Sequence, residues 1–342
     1  MASLKKADEK RTVSFSSAFW HSVGHISLVP FIACLKGKGG YMVYIIENAQ
    51  ILNGSQMKQQ SLIIHDKKIV SVAESARMYK YFRMDGSPFI MVPAYVYADL
   101  PFHSDSPGFL DPALQRDFLL EGCTAVLTAV KVSKANELRG RIKDMQNLLK
   151  NSLLDYIIGV VVHAKRLTPE LLRKCQTEKV PVVFIRTDSE KDLLNIEWGW
   201  IKQAIFPYNS RLAVIPEGVH AQRILKIWKE MMKKEKIPSL ANPVPEKKPI
   251  GNMVLKKVGI IPKISGLRQG GELSYNLYLK DTVTNNLNEQ ELYATRNSHL
   301  MYTVHKGKVV RAGGLFLGEA GNGERIEIRI PSFTHRMKNR KE

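Results

Sequence analysis

The sequence predicts an α/β fold: a truncated or incomplete TIM-type (β/α) barrel with a small β-sandwich domain built from both chain ends. Three observations predict it. Unbroken apolar runs alternate with amphipathic stretches through the middle of the chain, as in a parallel sheet covered on both faces. Segments of strand character with tight turns stand before and after that series. The series holds five strand–helix steps, beginning at Phe89, Cys123, Asp155, Val180 and Arg211, where a full barrel has eight.

The elements follow in order. From Met42, "MVYIIENAQILNG" and "QSLIIHDKKIVSVAE" read as strands, the second folded around a turn at His65-Asp66-Lys67-Lys68. The apolar run Phe89–Val96 opens the central series. "DPALQRDFLLEG" reads as a helix capped by Asp111, with Pro112 in its first turn and Gly122 at its end. Strand "CTAVLTAVKV" and helix "KANELRGRIKDMQNLLKNSLL" come next, then strand "DYIIGVVVH" and helix "TPELLRKCQTEK". Strand "VPVVFIRT", helix "DSEKDLLNIEWGWIKQAIF", strand "RLAVIPE" and helix "AQRILKIWKEMMKKEK" complete the series. The Pro-rich stretch "IPSLANPVPEKKPIGN" (Ile237–Asn252) has no periodicity and reads as a linker. Beyond it "LSYNLYLKD", "HLMYTVHKGKVVRAGG" and "RIEIRI" return to β character. The expected division is 42–88 and 251–330 for the two parts of the sandwich, 89–250 for the barrel-like domain and 331–342 for a basic tail.

Residues 1–41 are expected to be a non-native extension. Lys38-Gly39-Gly40 can be encoded AAA-GGA-GGN, a bacterial ribosome-binding sequence, one codon before Met42. The apolar stretch Phe19–Leu35 is broken by His21, Ser22, Gly24, His25, Ser27 and Pro30, which argues against a spanning helix. Cys34, Cys123 and Cys175 are far apart and form no CxxC pair, which fits a reducing cytoplasm. The chain carries 51 Lys and Arg against 32 Asp and Glu, a net +19. That excess reads as a solvated surface or as attraction to anions such as nucleic acid.

Five stretches in chain order resemble the amidohydrolase superfamily, in particular its dihydroorotase- and allantoinase-like cyclic amidases. "ILNG" with "SLIIHDKKIVSVAE" is similar to the opening sandwich hairpin, with Asp-Lys-Lys-Ile where the family typically has Asp-Gly-Lys-Ile. "MDGSPFIMVPAYVYADLPF" resembles the strand leading into the barrel, and "LLEGCTAVLTA" the step into the second strand. "VGIIPKISGLRQGGELSYNLYL" and "MYTVHKGKVV" are similar to the returning and closing sandwich strands. The resemblance implies metal-dependent hydrolysis of cyclic C–N bonds, with ligands from a His-x-His, a bridging Lys or Glu, two further His and an Asp. Alternate strand residues face one side, so a His-x-His aims both imidazoles at one metal.

Set against that motif, Asp99 and Pro101 occupy the two His positions and Tyr97 the place of the Asp before them. Pro101 has no donor atom. His103 lies beyond a proline, His163 ends a strand, Lys131 and Lys165 lie at strand ends, and His220 precedes a helix. The Gly-Ser-Asp-Ala-Asp position reads Gly270-Gly271-Glu272-Leu273-Ser274, and no Asp stands where the last ligand would come.

The reading is therefore an amidohydrolase-like protein that has lost metal-dependent hydrolysis and acts by binding a small-molecule or protein partner in the cytoplasm, with no membrane role. It expects no cofactor, and self-association is compatible with it. One alternative is an active hydrolase of cyclic amide C–N bonds using a single divalent metal such as zinc at Asp99, His163 and His103. A second is an anion- or nucleic-acid-binding protein using Lys and Arg between Lys131 and Lys174 and from Arg223 to Lys236.

Overall fold

β-Branched and apolar residues make Val43–Asn53 the first strand, β1, which folds back as β2 (Gln56–His65) and again as β3 (Lys68–Ala73). The computed structural model describes residues 43–101, 107–264, 266–281, 287–329 and 331. They lie in the second of two units, Gly40–Glu342; the first, Met1–Gly39, falls outside the described residues, as do Cys34, His103 and nearly all of the basic tail. Strands β4 (Phe82–Asp85) and β5 (Phe89–Pro93) run parallel to β1.

The apolar run read as one strand is two. Pro93 cannot donate to a ladder, and the chain leaves β5 there to begin β6 (Tyr95–Ala98) in a different sheet. The second sheet is all parallel, in the order β10-β9-β8-β7-β6, with β7 (Cys123–Lys131), β8 (Asp155–His163), β9 (Val182–Thr187) and β10 (Arg211–Pro216).

Helices α1 (Pro112–Leu120), α2 (Leu138–Leu148) and α3 (Pro169–Thr177) fill the first three crossovers. Asp111 caps α1 by accepting from the Ala113 N–H at 2.9 Å, and Thr168 caps α3 ahead of Pro169. The stretch expected to be one helix after β9 is α4 (Glu190–Leu194) and α5 (Trp198–Ile205). The Trp198 indole N–H donates to the Leu193 carbonyl at 3.0 Å and holds the break between them. Helix α6 (Ala221–Glu235) follows β10.

Strand alternation divides the core. Tyr97, Val126, Val130, Ile158, Ile185 and Val214 pack with the helices, among them Phe118, Ile142, Leu171, Trp198 and Trp228. Val96, Ala98, Leu127, Val161, Phe184 and Ala213 face a second cluster supplied by Leu240, Val244, Ile250, Leu255 and Ile326.

The linker is therefore structural. At one end Leu212 and Leu240 exchange hydrogen bonds with its backbone (Leu212 N–H to Pro238 O, 3.1 Å; Leu240 N–H to Leu212 O, 2.8 Å). At the other, Lys247 N–H donates to Ala98 O (2.8 Å) and Ile250 N–H to Val96 O (2.9 Å). It covers edge strand β10 and edge strand β6 in turn.

After α7 (Asn252–Val258) the chain adds β11 (Tyr275–Leu279), α8 (Glu289–Arg296), β12 (Leu300–His305), β13 (Lys308–Ala312) and β14 (Leu315–Phe316). Strand β11 pairs antiparallel with β5, so both parts of the chain form one sheet, β14-β13-β12-β11-β5-β1-β2-β3, with β4 on β1. The expected strand "RIEIRI" is instead an extended segment bridged to Tyr156 at Arg325 alone. Strand β9 takes the same edge of β8 from Val160 onward, which leaves little ladder free.

Candidate functional site

In a parallel α/β sheet the carboxyl ends of the strands carry the site, because the crossovers leave their loops free there. Strand β6 delivers Asp99. Alternation sends Tyr95, Tyr97 and Asp99 to the helix side and Val96, Ala98 and Leu100 inward. The Tyr97 ring meets Phe118 edge-on at 5.1 Å, and its hydroxyl donates to Glu121 Oε2 at 2.9 Å. Asp99 is 2% exposed and accepts from the Phe109 N–H at 2.6 Å. Burial raises its pKa, opposed by that N–H and by the charge of Lys247. Pro101 is buried beside it.

Strand β8 delivers His163, exposed, with Nδ1 accepting from the Lys165 N–H at 3.3 Å over the turn Ala164–Arg166. Its neighbours are Asp188 and Asp192; one ligand atom from each of the three lies within 4.8 Å of the others. Lys165 Nζ stands 3.6 Å from Asp192 Oδ2. His163 and Asp99 are not brought together. Strand β7 runs between them, and Asp99 falls level with Ile158 while His163 lies five residues further along β8, a separation of about 19 Å; alternation gives them opposite sides of the sheet. Lys131 ends β7, and His220 is the residue before α6.

The inward side of the carboxyl ends forms a mouth. A cavity of about 480 Å³ is lined by Leu100, Phe184, Ile215, Glu217, Pro243 and Val244, among others. Glu217 is pinned by Arg186, whose Nε and Nη2 both donate to Oε1, at 2.8 and 2.7 Å. Among the described residues Oε2 accepts no hydrogen bond. A separate cavity of about 470 Å³ touches Lys165, Asp192, Ile196 and Trp200.

The mouth residues Phe184 and Glu217 escaped the sequence reading. Their signal was the period-two pattern of β9 and β10, whose inward members end in Phe184, Arg186, Ile215 and Glu217. Asp188 and Asp192 were equally hidden, since only the crossover helix carries Asp192 back toward His163.

At the opposite end of the sheet Asp155 opens β8. Its Oδ2 meets His305 Nε2 at 3.1 Å, and its Oδ1 accepts from Lys306 Nζ and the Glu324 N–H, each at 2.7 Å. Burial alone would raise this carboxyl, but His305 and Lys306 together hold it below its ordinary value. Glu272 is close enough to complete a three-group cluster with them. Every polar atom of Asp155 is already engaged, so this is a clasp between sheets. The thiols are equally inert: burial pushes Cys175 up to about 12 and raises Cys123 further.

No protein-family model matches the chain, and no curated protein matches it. Solved structures do share its fold. A dihydropyrimidinase from Brevibacillus agri NCHU1002 is 12% identical with a TM-score of 0.53, over 85% of this chain and 100% of that one. A D-hydantoinase is 12% identical with a TM-score of 0.61, over the same shares. A D-hydantoinase from a Bacillus sp. AR9 is 9% identical with a TM-score of 0.56, over 84% and 100%. These are amidohydrolases, the superfamily that the sequence resembles, and the shared fold is TIM-barrel-related. Among the described residues no helix is long and apolar enough to cross a membrane.

Proposed function

We propose that this chain keeps the hydantoinase-type fold in shortened form, five strand–helix units closed by the linker, and binds a ligand at the mouth in place of metal-dependent hydrolysis. The observation that carries the reading is the apolar lining of the mouth cavity: Leu100 after β6, Phe184 within β9 and Ile215 on β10. Metal-dependent hydrolysis requires donors there to lower the pKa of a bound water. These side chains have none. The one carboxylate at the mouth, Glu217, is already neutralised by Arg186. A resident catalytic metal does not fit the lining of this cavity, and the cluster of His163, Asp188 and Asp192 stands outside that lining.

The same chemistry selects a ligand. The walls are apolar, so a compact apolar body is favoured. Glu217 Oε2 is free to accept, and its charge is balanced, which favours a neutral N–H or O–H donor over a cation. The alternative single-metal hydrolase needs Asp99 and His163 to share one ion, which a gap of about 19 Å opposes.

The test combines metal content with ligand binding. The protein is incubated with excess zinc, manganese and iron, desalted and assayed, then screened by thermal shift against apolar N–H and O–H compounds. The reading expects no retained metal and a hit that Glu217→Gln and Val244→Trp each abolish. One metal equivalent together with cyclic-amide hydrolysis would overturn it.

A further inference from the structure

Helix α6 presents a cationic row to solvent. Arg223, Lys226, Lys229 and Lys233 follow at steps of three, three and four residues, so they lie along one side of the helix, and Lys236 caps its end in a left-handed conformation. Lys234 flanks the row, and all six are exposed. Ile224, Trp228 and Met232 form the opposite line and are buried, with the Trp228 indole N–H donating to the Leu240 carbonyl at 2.9 Å. The helix is thereby locked in rotation, and its cations cannot turn inward.

This row holds more unpaired cations than the other basic helices. On α2 Arg139 has Glu178 at 3.9 Å while, among the described residues, Arg141 and Lys143 enter no ion pair, and on α3 Lys174 has Glu170 at 2.9 Å while Arg173 enters none. On α6 only Arg223 has an ionic partner, Glu190 at 2.7 Å. Among the described residues the five lysines enter no ion pair, and Glu230 is the one acid on that face.

We propose that the outer face of α6 binds the phosphodiester backbone of nucleic acid without regard to sequence. From Arg223 to Lys233 the row is about 15 Å long. A duplex offers one phosphate charge per ~1.7 Å of axis, so several phosphates fall within reach of five or six cations. Gln222 is the one exposed Asn, Gln or aromatic side chain of α6, too few to read a run of base edges. Two other polyanions fit less well. A membrane surface would call for apolar side chains beside the lysines, and none of the large exposed hydrophobics lies on α6. A folded acidic protein would call for aromatic or apolar anchors at the centre of the contact, and the row has none. The proposal is independent of the ligand at the mouth.

Fluorescence anisotropy with a labelled 24-base-pair DNA duplex, its single strand and the matching RNA, across 50–200 mM NaCl, tests it. Binding should weaken with salt at a log–log slope of about −4 to −5 for duplex DNA. Lys226→Gln/Lys229→Gln/Lys233→Gln should flatten that slope by about 3. Lys143→Gln/Arg173→Gln/Lys174→Gln removes the same net charge from α2 and α3 and should leave the slope unchanged. Five of the six side chains are exposed and Lys174 is half-buried, and far-ultraviolet circular dichroism checks that both variants fold. Three results would overturn the proposal: no binding at 50 mM NaCl, equal losses in both triple variants, or anionic lipid vesicles bound in preference to every nucleic acid.

Discussion

Asp155 at the start of β8 and His305 at the end of β12 face each other at 3.1 Å, each side chain only 1% exposed. They belong to different sheets, so this pair and Lys306 fix where the parallel sheet meets the sheet built from both parts of the chain. A buried ion pair is poor evidence of net stabilisation, but removing one member leaves the rest uncompensated.

Asp155→Ala should therefore destabilise the protein by about 3–5 kcal/mol, read from urea unfolding followed by tryptophan fluorescence. It strands the buried His305 ring, the Lys306 ammonium and the Glu324 N–H together. A loss below about 1 kcal/mol would show that water replaces the carboxylate and that the clasp is not structural.

The pH dependence has a defined sign. The Asp155 carboxyl is held below 3.8 in the folded protein, so its stabilisation is present above that value and is lost as pH falls through the lowered one. Lys306 is raised above 10.5, chiefly by Asp155 acting against burial, so its contribution is present below 10.5 and is lost as pH rises through the raised value. Asp99 and Glu272 are raised by burial and act oppositely, favouring the fold as they protonate. Unfolding free energies at pH 7, 5 and 3 should decline at the acid end for the native protein. In Asp155→Asn the decline should shrink to the part owed to Asp85, whose carboxyl burial would raise but the Ser87 and Asn48 hydrogen bonds hold low, and a parallel decline would sink the assignment.

Asp99→Asn should leave stability at pH 7 unchanged or raised. The amide oxygen can still accept from the Phe109 N–H, while the burial of a charge disappears. If Asp99 were instead a metal ligand, the same substitution would abolish metal-dependent activity and lower the melting temperature in metal-loaded samples.

Gly323→Ala should destabilise by about 1–3 kcal/mol. A Cβ at this position would overlap the Leu154 carbonyl oxygen, and the Gly323 N–H donates to Ser152 O at 2.9 Å. Gly140, whose Cβ would meet nothing within 4 Å, is the matched control. Differential scanning calorimetry of both variants decides it.

Much of the parallel series was legible because it depends on local pattern. Strands β7, β8 and β10 begin at Cys123, Asp155 and Arg211 as the apolar runs indicate, and Asp111 caps α1 as its type and position suggest. Phe89–Val96 misled because its two strands differ in sheet and not in composition. The linker had no period to read: it pairs with β10 and β6 through a few backbone groups and buries Leu240, Val244 and Ile250 at irregular spacing. The candidate site was least legible. Which side Asp99 faces is set by one residue of register, and the approach of Asp188 and Asp192 to His163 depends on a crossover that no linear motif records.

The linker has a consequence for folding and aggregation. An edge strand with unpaired amides is a template for another chain, and β6 and β10 would both be such edges. One short segment silences both, at contacts separated by some 150 residues along the chain for β6 (Ala98 with Lys247). Contacts of that separation form late. Until the linker docks, the nascent sheet is open at both sides with its apolar inner face bare, so the interval before docking is when this protein is most exposed to misassembly.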